Sequence, residues 1–322
     1  MKLNLLHIIF SLLLFFNPIF GQAPNLGSLS SFSLFTAAGA FDNVGNSSIR
    51  GDIGTNTTSV TGFPTGVVYG NIYEAGDAAA TQGAIDVANL YTDLFGRTCG
   101  AVIGTTMGSG QILTPGIYCT GAATTLNGNL ILDAQGDPSA LFIIQVDGAF
   151  STGTFSSVSL INSASLCNVF WQINGQFELF DNSVFRGTVV ANGAIQLHDV
   201  ASIEGRALTK AGAISLQNNT VYFSPEQALT ISGTANLCEN QNGVGFSVPL
   251  IYNATAYVWT LPAGAVIASG AGTNSITVDF NLGASSGNIT VYGTNTCSSG
   301  AISPNYVLTI FQLPLTSAIF HQ

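Results

Sequence analysis

With 322 residues, six Lys and Arg against sixteen Asp and Glu, and a formal net charge of −10, the chain is long enough for about two domains and carries no basic footprint for nucleic acid. Charged residues make up 7% and glycines number 37. Such a neutral, small-residued surface suits repeated stacking and argues against an anionic partner or charge-driven catalysis.

Residues 1–21 read as a signal peptide: Lys2 gives a positive n-region, residues 5–16 an apolar h-region broken by Ser11 and Asn17-Pro18, and cleavage falls near Gly21-Gln22. Export to the medium or the cell surface is the expectation. The mature chain then keeps only Arg50, Arg97, Arg186, Arg206 and Lys210 as cations. Residues 33–73 are strand and turn, and the stretches 48–53 and 67–72 match 202–207 in pattern, as coils of one stack would. Residues 74–96 predict the one helix, with Ala79, Ile85, Ala88 and Leu90 on its apolar face and Gly96 as its stop. Strand patterns then run from residue 110 to 223.

Their clearest form is a repeat of about 18 residues. Gly175, Gly193 and Gly212 each precede an apolar pair at +2 and +4: Phe177 and Leu179, Ile195 and Leu197, Ile214 and Leu216. A turn follows at Asp181-Asn182, Asp199 and Asn218-Asn219, and a second strand opens at Val184, Ile203 or Val221. Short strands at fixed pitch with a stacked apolar interior predict a β-solenoid.

Ser224-Pro225-Glu226 marks a boundary, dividing a solenoid at 22–224 from a second unit at 225–313 and a short tail at 314–322. In the second unit strands alternate with turns about every ten residues. Trp259 between Cys238 and Cys297 matches a β-sandwich pinned by an inter-sheet disulfide. Cys99, Cys119 and Cys167 permit three pairings, of which Cys99 with Cys119 is favoured, leaving Cys167 as a buried free thiol. No CxxC or Cys/His cluster points to a metal.

The segments GDIGT at 51–55, VTGFPTGVVYGNIY at 60–73, LTPGIYC at 113–119, LDAQGDPSALFIIQ at 132–145, CNVFWQING at 167–175 and GRALTKAGAISLQNNTV at 205–221 resemble the bacterial ice-binding protein family. That resemblance implies an all-β fold, a discontinuous right-handed β-solenoid with one flanking α-helix, and ice adsorption in many members. The second unit resembles the Ig-like or PKD-like spacers of secreted bacterial proteins, which makes it a C-terminal β-sandwich able to serve cell-surface association.

A solenoid sets equivalent outward residues about 4.8 Å apart, and small hydroxyl or methyl groups on a flat face can hold a water layer that merges with ice. Aligning the second strand of each coil gives a candidate ice-binding column of Ser48, Ser157, Ser202 and Thr220, with Ser183 beside it. Val67 and Val184 fall in the same column, and Arg50, Arg186, Glu204 and Tyr222 project two residues further on. The expected partner is an ice crystal surface, met by a monomer without cofactor, metal or catalytic residues. Parallel solenoids also host polysaccharide-cleaving enzymes, yet His198 stands alone on an exposed strand position, and Asp133 and Asp137 belong to a turn where they bond the backbone. Trp171 reads as core. The rival reading is a structural or adhesive surface protein that binds a carbohydrate or protein, and concave faces lined with aromatics would favour it.

Overall fold

Alternation around the repeat glycines becomes a stack of parallel strands in a computed structural model, which describes residues 21–252, 254–295 and 297–312. The expected leader, except Gly21, and the expected tail lie outside the described residues. One sheet holds seven strands in the order Phe41–Val44, Ile214–Gln217, Ile195–Leu197, Phe177–Leu179, Phe150–Thr152, Thr124–Asn127 and Thr106–Gly108. Every neighbouring pair in it is parallel. Phe41, Ile214, Ile195, Phe177 and Phe150 face inward in register and are fully buried. Trp171 joins them as core, its indole N–H donating to the Arg186 carbonyl at 3.0 Å.

Strands at the other two sides of each coil complete three faces. The second-strand face runs Val67–Tyr69, Ser48–Arg50, Thr220–Tyr222, then the first halves of Ser202–Thr209 and Val184–Ala191. Those two eight-residue strands turn the corner at Gly187 and Gly205, both at positive φ, where a side chain on Gly205 would strike the Gly187 backbone. The third face carries Phe32–Thr36, Phe142–Val146, Val169–Ile173 and the second halves of the long strands.

The stack is discontinuous. The coil formed by Phe41–Val44 and Ser48–Arg50 packs on the coil formed by Ile214–Gln217 and Thr220–Tyr222, while Thr106–Gly108 lies at the opposite end. A connection must therefore travel the length of the stack. Helix α1, Ala78–Gly96, has 19 residues and so spans about 28 Å, against about 29 Å for six strand spacings. It starts four residues after the expected 74, because residues 74–77 form a turn closed by Asp77 N–H to the Glu74 carbonyl. Its buried side is Ala80, Gly83, Val87, Leu90, Tyr91 and Leu94, so Ile85 and Ala88 are exposed, contrary to expectation. Gly83 sets that rotation: a Cβ there would lie 2.9 Å from the Phe35 ring, so the helix approaches the third face closely at this point.

The repeat glycines line one corner. A Cβ on Gly193 would sit 2.8 Å from the backbone of Gln176, and one on Gly175 2.7 Å from Ala149. Only glycine allows successive rungs to approach this closely.

The described strands from residue 232 onward form two four-stranded sheets, Ser232–Gly233, Val244–Ser247, Ser275–Phe280, Ala265–Ser269 and Asn236–Cys238, Tyr306–Phe311, Gly287–Thr294, Ala256–Thr260. Phe246, Phe280, Ile289, Val291 and Leu308 fill the space between them. The pairings are antiparallel except where Asn236–Cys238 meets Tyr306–Phe311.

The cysteines depart from expectation in one respect that matters. Cys99 pairs with Cys119 as favoured, but Cys167 pairs with Cys297, and Cys238 is free and exposed. Strand alternation explains the correction: Leu237 points into the sandwich and is buried, so Cys238 points out. Cys297 instead sits in the loop after Gly287–Thr294, and Cys167 in a short turn, Leu166–Asn168, at the edge of the solenoid. The bridge thus ties the sandwich to the solenoid. Around it lie an Arg50–Glu226 ion pair at 2.7 Å, a Tyr222–Tyr252 hydroxyl pair at 2.7 Å and an Asn295 amide donating to the Phe223 carbonyl at 3.0 Å.

Candidate functional site

The predicted column is contiguous. Val67, Ser48, Thr220, Ser202, Val184, Ser157 and Asn129 are register partners in turn. Thr220 is exposed and Ser48, Ser157 and Ser202 are half-buried. The Ser157 hydroxyl donates to Asn129 Oδ1 at 2.8 Å. Ser183 is a correction: it is fully buried, donating to the Gly153 carbonyl at 2.9 Å and accepting from Ser156 N–H at 3.1 Å. One residue before an outward position, strand alternation turns its side chain inward.

Beside this column stands a bulky, charged one, Tyr69, Arg50, Tyr222, Glu204 and Arg186 in register. Arg186 grips Glu204 through two bonds of 2.7 Å and donates a third to the Val158 carbonyl. Tyr222 is buried against Tyr252 of the sandwich, and that burial pushes its phenol above its ordinary range. The second-strand face is therefore uneven and partly covered. The third face lies under α1.

Among the described residues, neither the sandwich nor α1 covers the seven-stranded face. Its middle outward column is Asp42, Ser215, Gln196, Glu178, Ser151, Thr125 and Thr106. One position before each strand, Ala40, Ala213, Ala194, Gln176 and Ala149 form a second column, each carbonyl accepting the N–H of the next rung's first inward residue. The two ends differ. Over Ser215 a shallow trough of about 320 Å³ runs between Gln196 with His198 and Asp42 with Val44. Toward the other end Ala123, Thr125, Asn127, Ala149, Ser151 and Gly153 form a surface without charge or bulk. The sequence carried a sign of this: Gly39, Gly148, Gly193 and Gly212 are each followed by alanine.

Among the described residues no group of three or more His, Cys, Asp or Glu could hold a metal ion. His198 is half-buried and stacks on Phe180 at 4.4 Å, more covered than the exposed strand position expected for it. Asp133 and Asp137 accept backbone N–H bonds from Gln135 and Ser139 at 2.8 Å, as turn residues should. Arg206 is buried, its guanidinium 3.7 Å from the Phe223 ring centre and bonded to the Ser30 carbonyl. Burial lowers its pKa to about 10, and the residue serves the junction with the chain's N-terminal segment.

Fold and surface define a class: a discontinuous solenoid that presents, among the described residues, one uncovered parallel sheet. The chain belongs to the ice-binding-like family, whose model matches residues 35–222, followed by a PKD-like domain matched at 224–307. An ice-binding protein from Nostoc sp. (strain HG1) is 33% identical over 213 residues, covering 64% of this chain and 78% of that one. One from Flavobacterium frigoris (strain PS1) is 29% identical over 213 residues, covering 61% and 75%. Among solved structures, an ice-binding protein from an Antarctic bacterium of the Flavobacteriaceae superposes with a TM-score of 0.61 at 38% identity. That match covers 63% of this chain and spans only 48% of the other.

Proposed function

We propose that the protein adsorbs to ice through the seven-stranded face and so inhibits ice growth and recrystallisation, acting as a monomer outside the cell or on its surface. The observation that carries this reading is the combination on one molecule of a face under α1, an uneven and partly covered face, and one bare parallel sheet. Rungs about 4.8 Å apart hold Ala, Ser and Thr groups in two columns at the end bearing Thr106, Thr125 and Ser151. A flat array of small methyl and hydroxyl groups orders a water layer without strongly binding any one molecule, and merging that layer with ice needs no charge. The PKD-like domain match supports a surface or spacer role for the sandwich, and kinship with ice-binding proteins supports a non-catalytic one.

Tyrosine substitution tests the assignment, because a rigid bulky side chain on a flat contact face holds ice away over several rungs while exposed strand positions tolerate aromatics. Thr125→Tyr and Ser151→Tyr are expected to abolish most thermal hysteresis with unchanged melting, and Ser202→Tyr and Thr220→Tyr to leave it intact. The reverse outcome would move the contact to the column of Ser48, Ser157, Ser202 and Thr220. A parent protein without any ice activity would refute both.

A further inference from the structure

Inward positions of the seven-stranded sheet are apolar along its middle rungs, where Phe177 and Leu179, Ile195 and Leu197, and Ile214 and Leu216 point into the core. In the two rungs that present Thr125 and Ser151 this pattern changes. Thr124 stands in the column of Phe150 and Phe177, and Thr152 follows Phe150 as Leu179 follows Phe177, both threonines being buried. Two more buried hydroxyls adjoin Thr152, those of Ser183 at 0% and Ser156 at 2% exposure. We propose that Thr152, Ser156 and Ser183 are positioning residues for ice adsorption, holding the rungs of Thr125 and Ser151 in one plane without meeting ice themselves, a role that rests on that face being the contact.

Each hydroxyl holds the backbone of a corner where the chain leaves the sheet. At the first corner Ser156 donates to the Leu126 carbonyl at 3.1 Å and accepts from Gly128 N–H at 3.2 Å. At the second, Ser183 donates to the Gly153 carbonyl at 2.9 Å and accepts from Ser156 N–H at 3.1 Å. At the third, Thr152 accepts from Phe180 N–H at 2.9 Å, and its own hydroxyl lies 3.5 Å from that of Ser183. Three successive corners are thereby laced together, each by a side chain from a neighbouring coil. On the opposite side, where the chain enters the patch, the Thr124 hydroxyl donates to Thr120 Oγ1 at 2.7 Å.

Apolar side chains in these places would hold the coils together, but hydrophobic attraction has no direction. Hydrogen bonds fix distance and angle, and their net contribution to stability is modest because water bonds the same groups in the unfolded chain. Valine in place of Thr152 would also leave Phe180 N–H without this acceptor. A contact face needs its groups held to within about 0.5 Å by side chains locked beneath it. Small outward groups such as Ala149, Ser151 and Gly153 have no long side chains to brace one another, so the corners behind them set the plane. Ser183 is the centre of this lacing, since it touches the Gly153 corner, the Ser156 N–H and Thr152 together.

The test uses the intact, oxidised protein, with thermal hysteresis measured at equal concentrations and folding followed by melting curves. Ser183→Ala and Thr152→Val are expected to lower hysteresis by at least about half while staying folded near freezing, with faster hydrogen exchange at the Phe180 amide in Thr152→Val. Thr152→Ser keeps the acceptor and should match the parent. Ser47→Ala is the matched control, because Ser47 is equally buried and accepts from Asn219 N–H at 2.9 Å at the trough end of the stack, and it too should keep full hysteresis. Full hysteresis in Ser183→Ala and Thr152→Val, equal loss in Ser47→Ala, no recovery in Thr152→Ser, or unfolding of both test variants would each overturn the proposal. Thr125→Tyr on the same footing reports the contact itself: if it keeps full hysteresis the contact lies elsewhere and both readings fail, whereas loss in Thr125→Tyr alone keeps the contact and removes only the positioning role.

Discussion

Replacing Cys167 and Cys297 together by serine removes the covalent link between sandwich and solenoid. The bridge closes a sequence separation of 130 residues, which in the chain-entropy picture corresponds to about 5 kcal/mol, against about 3 kcal/mol for the 20-residue separation of Cys99 and Cys119. The other junction contacts named above are individually weaker. The partly exposed Arg50–Glu226 pair contributes at most about 1 kcal/mol, and the bonds of Tyr222 with Tyr252 and of Asn295 with Phe223 about 1 kcal/mol each. Scanning calorimetry should therefore show coupled unfolding in the oxidised parent and, in the double variant, a sandwich transition separated to lower temperature. Peptide mapping of the parent should recover Cys167 linked to Cys297 and Cys238 as a free thiol. A variant thermogram superimposable on the parent's, or a Cys238–Cys297 linked peptide, would refute the argument.

Gly193→Ala places a Cβ 2.8 Å from the next rung's backbone and should cost about 1–3 kcal/mol, read as a lower denaturation midpoint, whereas Gly96→Ala, with open space around it, should be nearly neutral. Asp86 joins α1 to the N-terminal turn: burial raises its pKa, but bonds from the Ser28 hydroxyl and N–H and the Gln82 amide outweigh this, and the net shift is below the ordinary 3.8. A lowered carboxylate pKa stabilises the fold above the unfolded value and loses that contribution as pH falls through the folded one. Acid titration below pH about 4 should therefore lower the parent's melting temperature more steeply than that of Asp86→Asn, and parallel curves would show that the Ser28 bonds contribute nothing.

The repeat was legible because each coil's inward residues recur at fixed offsets from its glycine: Phe177, Ile195 and Ile214 stack as their spacing requires. The helix was legible as an element but not in its rotation, which the close approach of Gly83 to Phe35 decides. Ser183 was misplaced because a turn of unknown length leaves the phase of the next strand open by one residue, and one residue reverses the side.

Sequence by itself determined the coils, their inward columns, the outward Ser48–Thr220–Ser202 column and the division into stack and sandwich, since all of these follow from local period and turn chemistry. Tertiary structure alone decided which face stays bare and which cysteines meet. Those outcomes depend on where α1 lies and where the sandwich docks, contacts between residues as distant as Cys167 and Cys297, and no local pattern encodes the meeting of two surfaces so far apart in the chain. The same docking turns the serine column's neighbours into a junction and leaves Thr125 and Ser151 facing open water.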